Sequence, residues 1–248
     1  MSKLNISASC QLGCIRQNNE DMILVGERLI RNEIYHTTID DNKQTRFAIA
    51  LADGMGGHNA GEVASETTLS NLSFFLSDLP DNLTPEGLIE IILNWLESIN
   101  KIIESKGLAD PSLSSMGTTL VAIVYYGGRY LWINCGDSRL YRFYNGELRQ
   151  LTVDHSLNTL IGEKKHSNVL TNCIGAGCKT SYLDITDFTD SVKEGGRFFL
   201  CSDGLNDMLT DEEMKAVLDK GCDADALCRA AICEGGFDNV SVCMIDIE

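Results

Sequence analysis

The stretch FAIALADGMGGHNAG, from Phe47 to Gly61, guides the interpretation of the whole chain. Its first six residues are apolar, as in a buried strand, and the apolar run ends abruptly at Asp53. The glycines that follow allow the backbone to approach whatever the Asp53 carboxylate binds, and a helical pattern begins at His58. A buried strand that carries one acid to a glycine-rich turn predicts a metal or phosphate site.

Further aspartates occupy the same kind of position. Aspartates border strongly apolar segments at Asp21, Asp53, Asp137, Asp203 and Asp238. A lone aspartate beside glycine is usually a turn former, but packed sheets bring strand ends together, so five such acids favour a shared site. Carboxylates that meet without a cation raise one another's pKa. An all-oxygen, carboxylate-rich site suits Mg²⁺ or Mn²⁺ rather than zinc.

Two such cations suit hydrolysis at phosphorus. Ions about 3.5–4 Å apart can share a water, lower its pKa and direct it at a phosphoryl group. The phosphate oxygens also need a cationic side chain, and Arg16, five residues before Asp21, is the candidate because guanidinium binds phosphate with two hydrogen bonds. The alternative is an exposed arginine without such a role.

The composition narrows the possible partners and location. The 36 acidic residues outnumber the 20 Lys and Arg, giving a formal charge of −16, which disfavours binding to nucleic acid or an anionic membrane. The ten cysteines form no CxxC pair. Met1 to Cys10 lacks the basic start and apolar segment of a signal peptide, and no apolar run reaches membrane-spanning length. We expect a cytoplasmic protein with reduced thiols.

Two long helices are expected after the opening stretch. Apolar residues recur at helical spacing from Ala60 until Pro80 ends the pattern. Thr84 and Pro85 provide an N-cap and a first-turn proline, and the apolar face that contains Trp95 continues to a stop at Gly107. We interpret both helices as core-packing elements.

Most of the other segments predict strands. A hairpin is expected from Ile30 to Asn42, and an antiparallel meander from Thr118 to Leu151 turns at Gly127–Gly128 and Asn145–Gly146. Two short helices and a closing strand, Val240 to Ile247, follow. This order lacks the regular alternation of parallel βαβ units and predicts an α+β fold. The sequence contains no linker or repeat, and we therefore expect one domain over residues 1–248.

Seven motifs in order carry a resemblance to a known family. They are GCIRQNNED, ADGMGGHNAGEVAS, SMGTT, NCGDSRLYR, LTVDHS, CSDGLND and DNVS, and they run from Gly13 to Ser241. Together they resemble the bacterial branch of the metal-dependent protein phosphatases, the PPM or type 2C serine/threonine phosphatases. The resemblance implies an α-β-β-α sandwich of two packed antiparallel sheets flanked by helices, with two Mn²⁺ or Mg²⁺ ions at the sheet edge.

The resemblance also assigns roles to residues of this chain. It implies that Asp53 bridges both metals, that the Gly54 carbonyl binds the first, and that Asp203 and Asp238 bind the second. Asp137 and Asp203 would hold a weaker third ion, with Asp207 near it, and Asp21 and Glu20 would bind metal directly or through water. Arg16 would bind the phosphate, and water would attack directly, without a phosphoenzyme.

The chain departs from the family pattern in two places. Animal members carry a histidine, proposed as general acid, two residues after the bridging aspartate. This chain has Met55 at that position, and bacterial relatives share the methionine. His58 is a candidate for that role, with a structural helix cap as the alternative. The segment from Ser156 to Val169 is shorter than the flap of bacterial relatives. The expected partner is a phosphorylated protein, the substrate of a serine/threonine kinase, and the protein is expected to be a monomer.

Three other functions remain open from the sequence. A cysteine phosphatase is suggested by Cys10 and Arg16, but the intervening residues lack a glycine-rich cradle and nothing nearby would lower the thiol pKa. A pseudophosphatase would lack metal ligands, whereas the aspartates are present. A calcium-binding structural domain would leave Arg16 unexplained, and no EF-hand loop occurs.

Overall fold

A computed structural model describes residues 2–56, 60–162 and 169–247. Within these ranges the strands, in chain order, are β1 (Lys3–Gln11), β2 (Asp21–Val25), β3 (Arg28–Ile30), β4 (Ile34–Asp40), β5 (Arg46–Met55), β6 (Gly117–Thr118), β7 (Leu120–Tyr126), β8 (Arg129–Cys135), β9 (Arg139–Tyr144), β10 (Glu147–Gln150), β11 (Ile174–Gly175), β12 (Asp184–Asp187), β13 (Gly196–Cys201) and β14 (Val240–Ile247). The helices are α1 (Ala60–Ser77), α2 (Pro85–Ala109), α3 (Leu157–Ile161), α4 (Thr189–Lys193), α5 (Asp203–Asn206), α6 (Asp211–Leu218) and α7 (Ala224–Cys233).

The strands form two antiparallel sheets. The six-stranded sheet has the order β10-β9-β13-β14-β1-β4. The eight-stranded sheet has the order β11-β6-β5-β7-β8-β12, and β2 joins it by pairing with both β5 and β3. A cluster of buried apolar side chains, which includes Ile6 and Phe198 from one sheet and Ile49 and Val121 from the other, lies between them. The two sheets therefore pack face to face.

Helices cover the outer face of each sheet. The α1 and α2 side chains, with Trp95 4% exposed, form a second apolar cluster with the eight-stranded sheet. The α5 to α7 side chains form a third cluster with the six-stranded sheet. The resulting order of layers, α-β-β-α, confirms the fold class expected from the sequence.

The helix starts follow the local sequence. Thr84 Oγ1 accepts a hydrogen bond from Gly87 N at 3.1 Å, and Pro85 occupies the first turn of α2. Thr210 and Glu213 form a reciprocal capping box at the start of α6. Such caps satisfy backbone N–H groups that have no partner within the helix, which explains why these boundaries could be predicted.

The expected end of the second helix was wrong by two residues. The helix α2 continues through Gly107 to Ala109. A Cβ at residue 107 would lie 3.0 Å from the carbonyl oxygen of Leu113. Glycine at this position therefore allows the following turn to pack closely against the helix, and it does not act as a helix stop.

The hairpin expected from Ile30 to Asn42 was also wrong. Strand β3 pairs with β2 in the eight-stranded sheet, whereas β4 pairs with β1 in the six-stranded sheet. The chain therefore crosses between the sheets at residues 31–33. Alternating apolar residues predict strands but do not specify which partner each strand pairs with.

The expected meander from Thr118 to Leu151 is interrupted in the same way. The hairpin turns at Gly127–Gly128 and Asn145–Gly146 are present, with all four residues at positive φ. However, β8 pairs with β7 in one sheet, while β9 pairs with β13 and β10 in the other. This crossing, between Cys135 and Arg139, contains Asp137.

No helix within the described ranges is long and apolar enough to span a membrane.

Candidate metal centre

The five aspartates singled out by the sequence, here called the acid cluster, lie where the two sheets meet at one edge. Asp21 begins β2 and is paired directly with Asp53 near the end of β5. Asp137 lies in the crossing between the sheets, Asp203 begins α5 directly after β13, and Asp238 precedes β14. The tertiary structure therefore brings together residues up to 217 positions apart in the chain.

The negative charges of the acid cluster act on one another. Burial and the charges of Asp21, Asp203, Asp137 and Asp238 raise the pKa of Asp53 well above its usual range. Burial is also the main reason that the pKa of Asp203 is raised, followed by the neighbouring acids. Like charges held together in a poorly hydrated site disfavour ionisation unless a cation compensates them.

Two other members of the acid cluster show smaller shifts. Burial raises the pKa of Asp21 to about 6, although hydrogen bonds from Ser241 and Ser202 oppose the shift. Burial, followed by the charge of Asp154, raises the pKa of Asp137 to about 6. Both groups titrate near neutrality, so cation binding at this edge should depend on pH.

The donor set fits a hard cation that retains water. The buried oxygens Asp21 Oδ1 and Asp203 Oδ1 have no hydrogen-bond partner within the described residues. In that part of the chain no three His, Cys, Asp or Glu side chains form a group that could hold a metal ion. Mg²⁺ typically binds through one or two carboxylates and keeps several waters, so these two buried carboxylate oxygens suit Mg²⁺ or Mn²⁺.

Gly54 brings the end of β5 into close contact with α1. A Cβ at residue 54 would lie 2.1 Å from the carbonyl oxygen of Gly61 and 2.7 Å from that of Glu20. A larger residue would therefore push α1 away from the strand. This packing explains the glycine and keeps the Gly54 backbone beside Asp53, where its carbonyl can serve as a ligand.

Hydroxyl groups that the sequence analysis did not single out position the acids. Thr119 Oγ1 accepts a hydrogen bond from Asp53 N at 3.0 Å and lies 2.7 Å from Ser138 Oγ, next to Asp137. Ser202 Oγ donates to Asp21 Oδ2 at 2.7 Å. Thr119 and Ser202 belong to the motifs SMGTT and CSDGLND, and Ser138 to NCGDSRLYR, but the motifs alone do not reveal these pairings.

Arg16 lies beside the acid cluster. Its Nη2 donates to Asp238 Oδ2 at 2.5 Å, and this hydrogen bond is the main reason that the pKa of Arg16 is raised. Half of the Arg16 side chain is exposed. The guanidinium therefore remains accessible to a phosphate at the edge of the site.

Asn239 fastens the loop that carries Arg16. Its Nδ2 donates to the carbonyl oxygens of Leu12 and Asn18 at 2.9 and 3.0 Å, and its Oδ1 accepts from Glu20 N at 2.9 Å. The side chain is 4% exposed. The sequence DNVS therefore combines a candidate ligand, Asp238, with the residue that positions the Arg16 loop.

His155, in the motif LTVDHS, has a positioning role near Asp137. Its Nδ1 accepts hydrogen bonds from Gly136 N at 3.1 Å and from Asn172 Nδ2 at 2.8 Å. Its Nε2 therefore carries the proton and lies 3.0 Å from Asp184 Oδ2. The histidine connects the crossing that contains Asp137 to β12.

The environment of Cys10 argues against a cysteine phosphatase. The thiol is fully buried and accepts hydrogen bonds from Asn19 and Ser241. Burial, followed by the charge of Asp21, raises the pKa of Cys10 to about 11. A nucleophilic cysteine requires the opposite shift, so Cys10 is a core residue.

Two expectations concern residues that the structure describes only in part. His58 lies outside the described residues, so its candidate role as general acid stays a prediction. The short segment from Ser156 to Val169 is described only at its ends, where α3 and the bridge between Ser156 and Leu170 lie. Met55 is the last residue of β5.

The fold and this edge define a class of protein. Two packed antiparallel sheets, covered by helices and bearing aspartates where the sheets meet, are the architecture of the metal-dependent protein phosphatases. The chain belongs to this class, and within it to the Protein phosphatase 2C family, whose model matches residues 34–227.

Bacterial relatives support the family assignment. The serine/threonine protein phosphatase PstP of Mycobacterium tuberculosis is 33% identical over 254 residues, which cover 98% of this chain and 45% of PstP. The chain thus spans about half the length of that relative. The serine/threonine phosphatase stp of Listeria monocytogenes is 32% identical, with 94% of this chain and 92% of the relative covered.

Solved structures agree with the sequence relatives. The catalytic domain of PstP, in complex with two manganese ions, is similar with a TM-score of 0.77 and 30% identity. The match covers 100% of this chain and 99% of that chain. The similarity therefore extends over the complete α-β-β-α architecture.

Proposed function

We propose that this chain is a Mn²⁺- or Mg²⁺-dependent serine/threonine protein phosphatase that hydrolyses phosphoserine and phosphothreonine without a phosphoenzyme. The observation that carries the proposal is the convergence of the acid cluster, whose members raise one another's pKa. The relatives named as serine/threonine phosphatases and the PstP structure with two manganese ions support it.

Each member of the site has a proposed role. Asp53, on which the charges of the other four acids act, would hold two cations together with Gly54 O, Asp21, Asp203 and Asp238. Asp137 and Asp203 would hold a third ion. Bound cations would supply a nucleophilic water at neutral pH and neutralise charge on the phosphoryl group. His58, which lies outside the described residues, is the candidate for the general acid that protonates the leaving group.

Arg16 would orient the phosphate at the edge of the site. Its exposed guanidinium can donate two hydrogen bonds to phosphate oxygens, while Asp238 and the Asn239-fastened loop hold it in place. A clamp of this kind reduces the entropy cost of aligning the phosphorus with the attacking water.

The proposal extends to partners and location. The substrate would be a phosphoprotein produced by a serine/threonine kinase. All ten cysteines are free, which supports a reducing compartment, the cytoplasm. We also propose a single domain over residues 1–248 and a monomer, a state that a net charge of −16 favours.

Phosphatase assays of the purified protein test the proposed function. With Mn²⁺ or Mg²⁺ we expect hydrolysis of p-nitrophenyl phosphate and of phosphothreonine peptides, and no activity in excess chelator. Returning Mn²⁺ to the chelated protein should restore activity. Turnover that persists in excess chelator would contradict the proposal, as would the absence of activity with either cation.

Replacing Arg16 by alanine tests the phosphate clamp. We expect Arg16→Ala to lower kcat/KM for p-nitrophenyl phosphate by about 10–100-fold, mainly through KM, because a charge-assisted contact to phosphate is worth about 1.5–3 kcal/mol. Arg129→Ala is the matched control, since that arginine is equally exposed and pairs with Asp187. Equal kinetics for Arg16→Ala and the wild type would show that Arg16 does not bind the substrate phosphate.

A further inference from the structure

Arg31 connects the acid cluster to α1. It lies in the turn between β3 and β4, where the chain crosses from one sheet to the other. Despite its position in a turn, its side chain is only 17% exposed. The guanidinium is therefore directed into the protein and away from solvent.

The contacts of Arg31 join two separate segments. Its Nε donates to the carbonyl oxygen of Asp21 at 3.0 Å. Its Nη2 donates to the carbonyl oxygen of Glu62 and to Ser65 Oγ, both at 3.0 Å, and its Nη1 lies 3.3 Å from Glu66 Oε2. One side chain thus holds the first residue of β2 against the first two turns of α1.

Ser65 extends this connection to the neighbouring peptide. Its hydroxyl accepts from Arg31 and donates to the carbonyl oxygen of Glu20 at 2.6 Å. The Gly54 amide donates to that same carbonyl oxygen at 3.2 Å. Gly61 of α1 also packs against Gly54. The position of α1 therefore affects both the peptide at Asp21 and the peptide at Gly54.

The nearby Arg28 shows how different an ordinary surface arginine is. Its guanidinium pairs with Glu33, and its side chain is 56% exposed. It also lies over the ring of Tyr35, at 5.9 Å from the ring centroid. None of these contacts reaches a residue of the acid cluster.

We propose that Arg31 is a positioning residue of the metal centre, which fastens the Asp21 peptide to α1 and thereby sets the affinity of the acid cluster for divalent cations. The inference rests on the proposed function, because it assumes that Asp21 and Gly54 help to hold a cation. Groups that orient metal ligands typically change metal affinity by about 10–100-fold when they are removed.

Calorimetric titration of the protein with Mn²⁺ tests this role without relying on activity. We expect Arg31→Gln to weaken Mn²⁺ binding by about 10–100-fold, while kcat at saturating Mn²⁺ stays within about threefold of the wild type. The Mn²⁺ affinity of Arg31→Lys should lie between those of the wild type and Arg31→Gln, because an ammonium group lacks the planar set of donors that reaches several acceptors at once. Wild-type Mn²⁺ affinity in folded Arg31→Gln would overturn the inference.

Arg28→Gln is the matched control, since it removes the same charge from the same region. We expect it to bind Mn²⁺ like the wild type, and an equal loss of affinity in both variants would refute a specific role for Arg31. If Arg31→Gln does not fold, the Mn²⁺ affinity of Ser65→Ala tests the inference instead. This variant removes only the hydroxyl between Arg31 and Glu20. Weaker Mn²⁺ binding by Ser65→Ala then supports the inference, and unchanged binding overturns it.

The same experiments separate this inference from the proposed function. A wild-type protein that neither binds Mn²⁺ nor hydrolyses phosphate esters would overturn the proposed function itself. A wild-type protein that does both, beside an Arg31→Gln variant with unchanged affinity, would overturn only the role of Arg31.

Discussion

Replacing Asp53 by alanine is expected to abolish phosphatase activity while making the metal-free protein more stable. Burial, followed by the charges of the other four members of the acid cluster, raises the pKa of Asp53. A cation acting as Lewis acid contributes several kcal/mol of transition-state stabilisation, and about 1.4 kcal/mol corresponds to a tenfold change in rate. We therefore expect kcat to fall by about 10³-fold or more.

The stability change has the opposite direction because the same carboxylate repels its neighbours. In chelator, removal of one buried acid relieves this repulsion, and we expect the melting temperature of Asp53→Ala to rise by about 2–4 °C for each kcal/mol relieved. The measurements are p-nitrophenyl phosphate kinetics with Mn²⁺ and thermal unfolding in chelator.

Asp190→Ala is the matched control for the loss of an aspartate. The Asp190 side chain is 96% exposed and pairs with Lys193 three residues away, so activity and melting temperature should both be unchanged. Activity that survives Asp53→Ala would remove Asp53 from the centre. A lower melting temperature of Asp53→Ala in chelator would show that Asp53 stabilises the metal-free fold.

Binding of Mn²⁺ is expected to stabilise the protein most strongly near neutral pH. A ligand that binds only the folded state at 100 times its Kd contributes about 2.7 kcal/mol. For a chain of this size such a change raises the melting temperature by about 5–10 °C. Thermal unfolding with saturating Mn²⁺ and with chelator, at several pH values, measures the difference.

The pH dependence follows from the raised pKa values in the acid cluster. The pKa values of Asp21 and Asp137 are raised to about 6, whereas an aspartate in the unfolded chain titrates near about 3.9. The metal-free folded state therefore binds more protons than the unfolded state between these values. The stability that these two groups contribute is fully present below about pH 4 and is lost as pH rises through about 6.

Mn²⁺ should remove this loss, because it compensates the ionised carboxylates. A shift of about two pKa units corresponds to about 2.7 kcal/mol for one group, so we expect the melting temperature in chelator to fall by several degrees between pH 5 and 7.5. The increase in melting temperature caused by Mn²⁺ should become larger over the same pH interval. A melting temperature in chelator that is independent of pH would show that these acids are compensated without a cation.

The elements predicted best from the sequence are those that local interactions determine. The starts of α2 and α6 follow from the caps at Thr84 and Thr210, and the turns at Gly127–Gly128 and Asn145–Gly146 require positive φ. Each depends on residues within four positions of one another. The apolar faces of α1 and α2 were likewise evident from their periodicity.

The elements predicted wrongly depend on distant partners. The hairpin after Ile30 and the meander through Asp137 both failed because adjacent strands joined different sheets. Alternation shows that a strand has a buried face, but it does not show which sheet buries that face. The extension of α2 beyond Gly107 similarly depended on how closely the next turn packs.

The sequence by itself determined which residues are candidates for the chemistry: the aspartates at the ends of apolar strands, the glycine at 54 and the arginine at 16. Only the tertiary structure brought Asp21, Asp53, Asp137, Asp203 and Asp238 to one edge, paired Arg16 with Asp238 and connected Arg31 to Asp21. The physical reason is that residue type and local spacing are properties of the chain. Electrostatic repulsion, burial and hydrogen bonding between distant segments exist only after the sheets have packed.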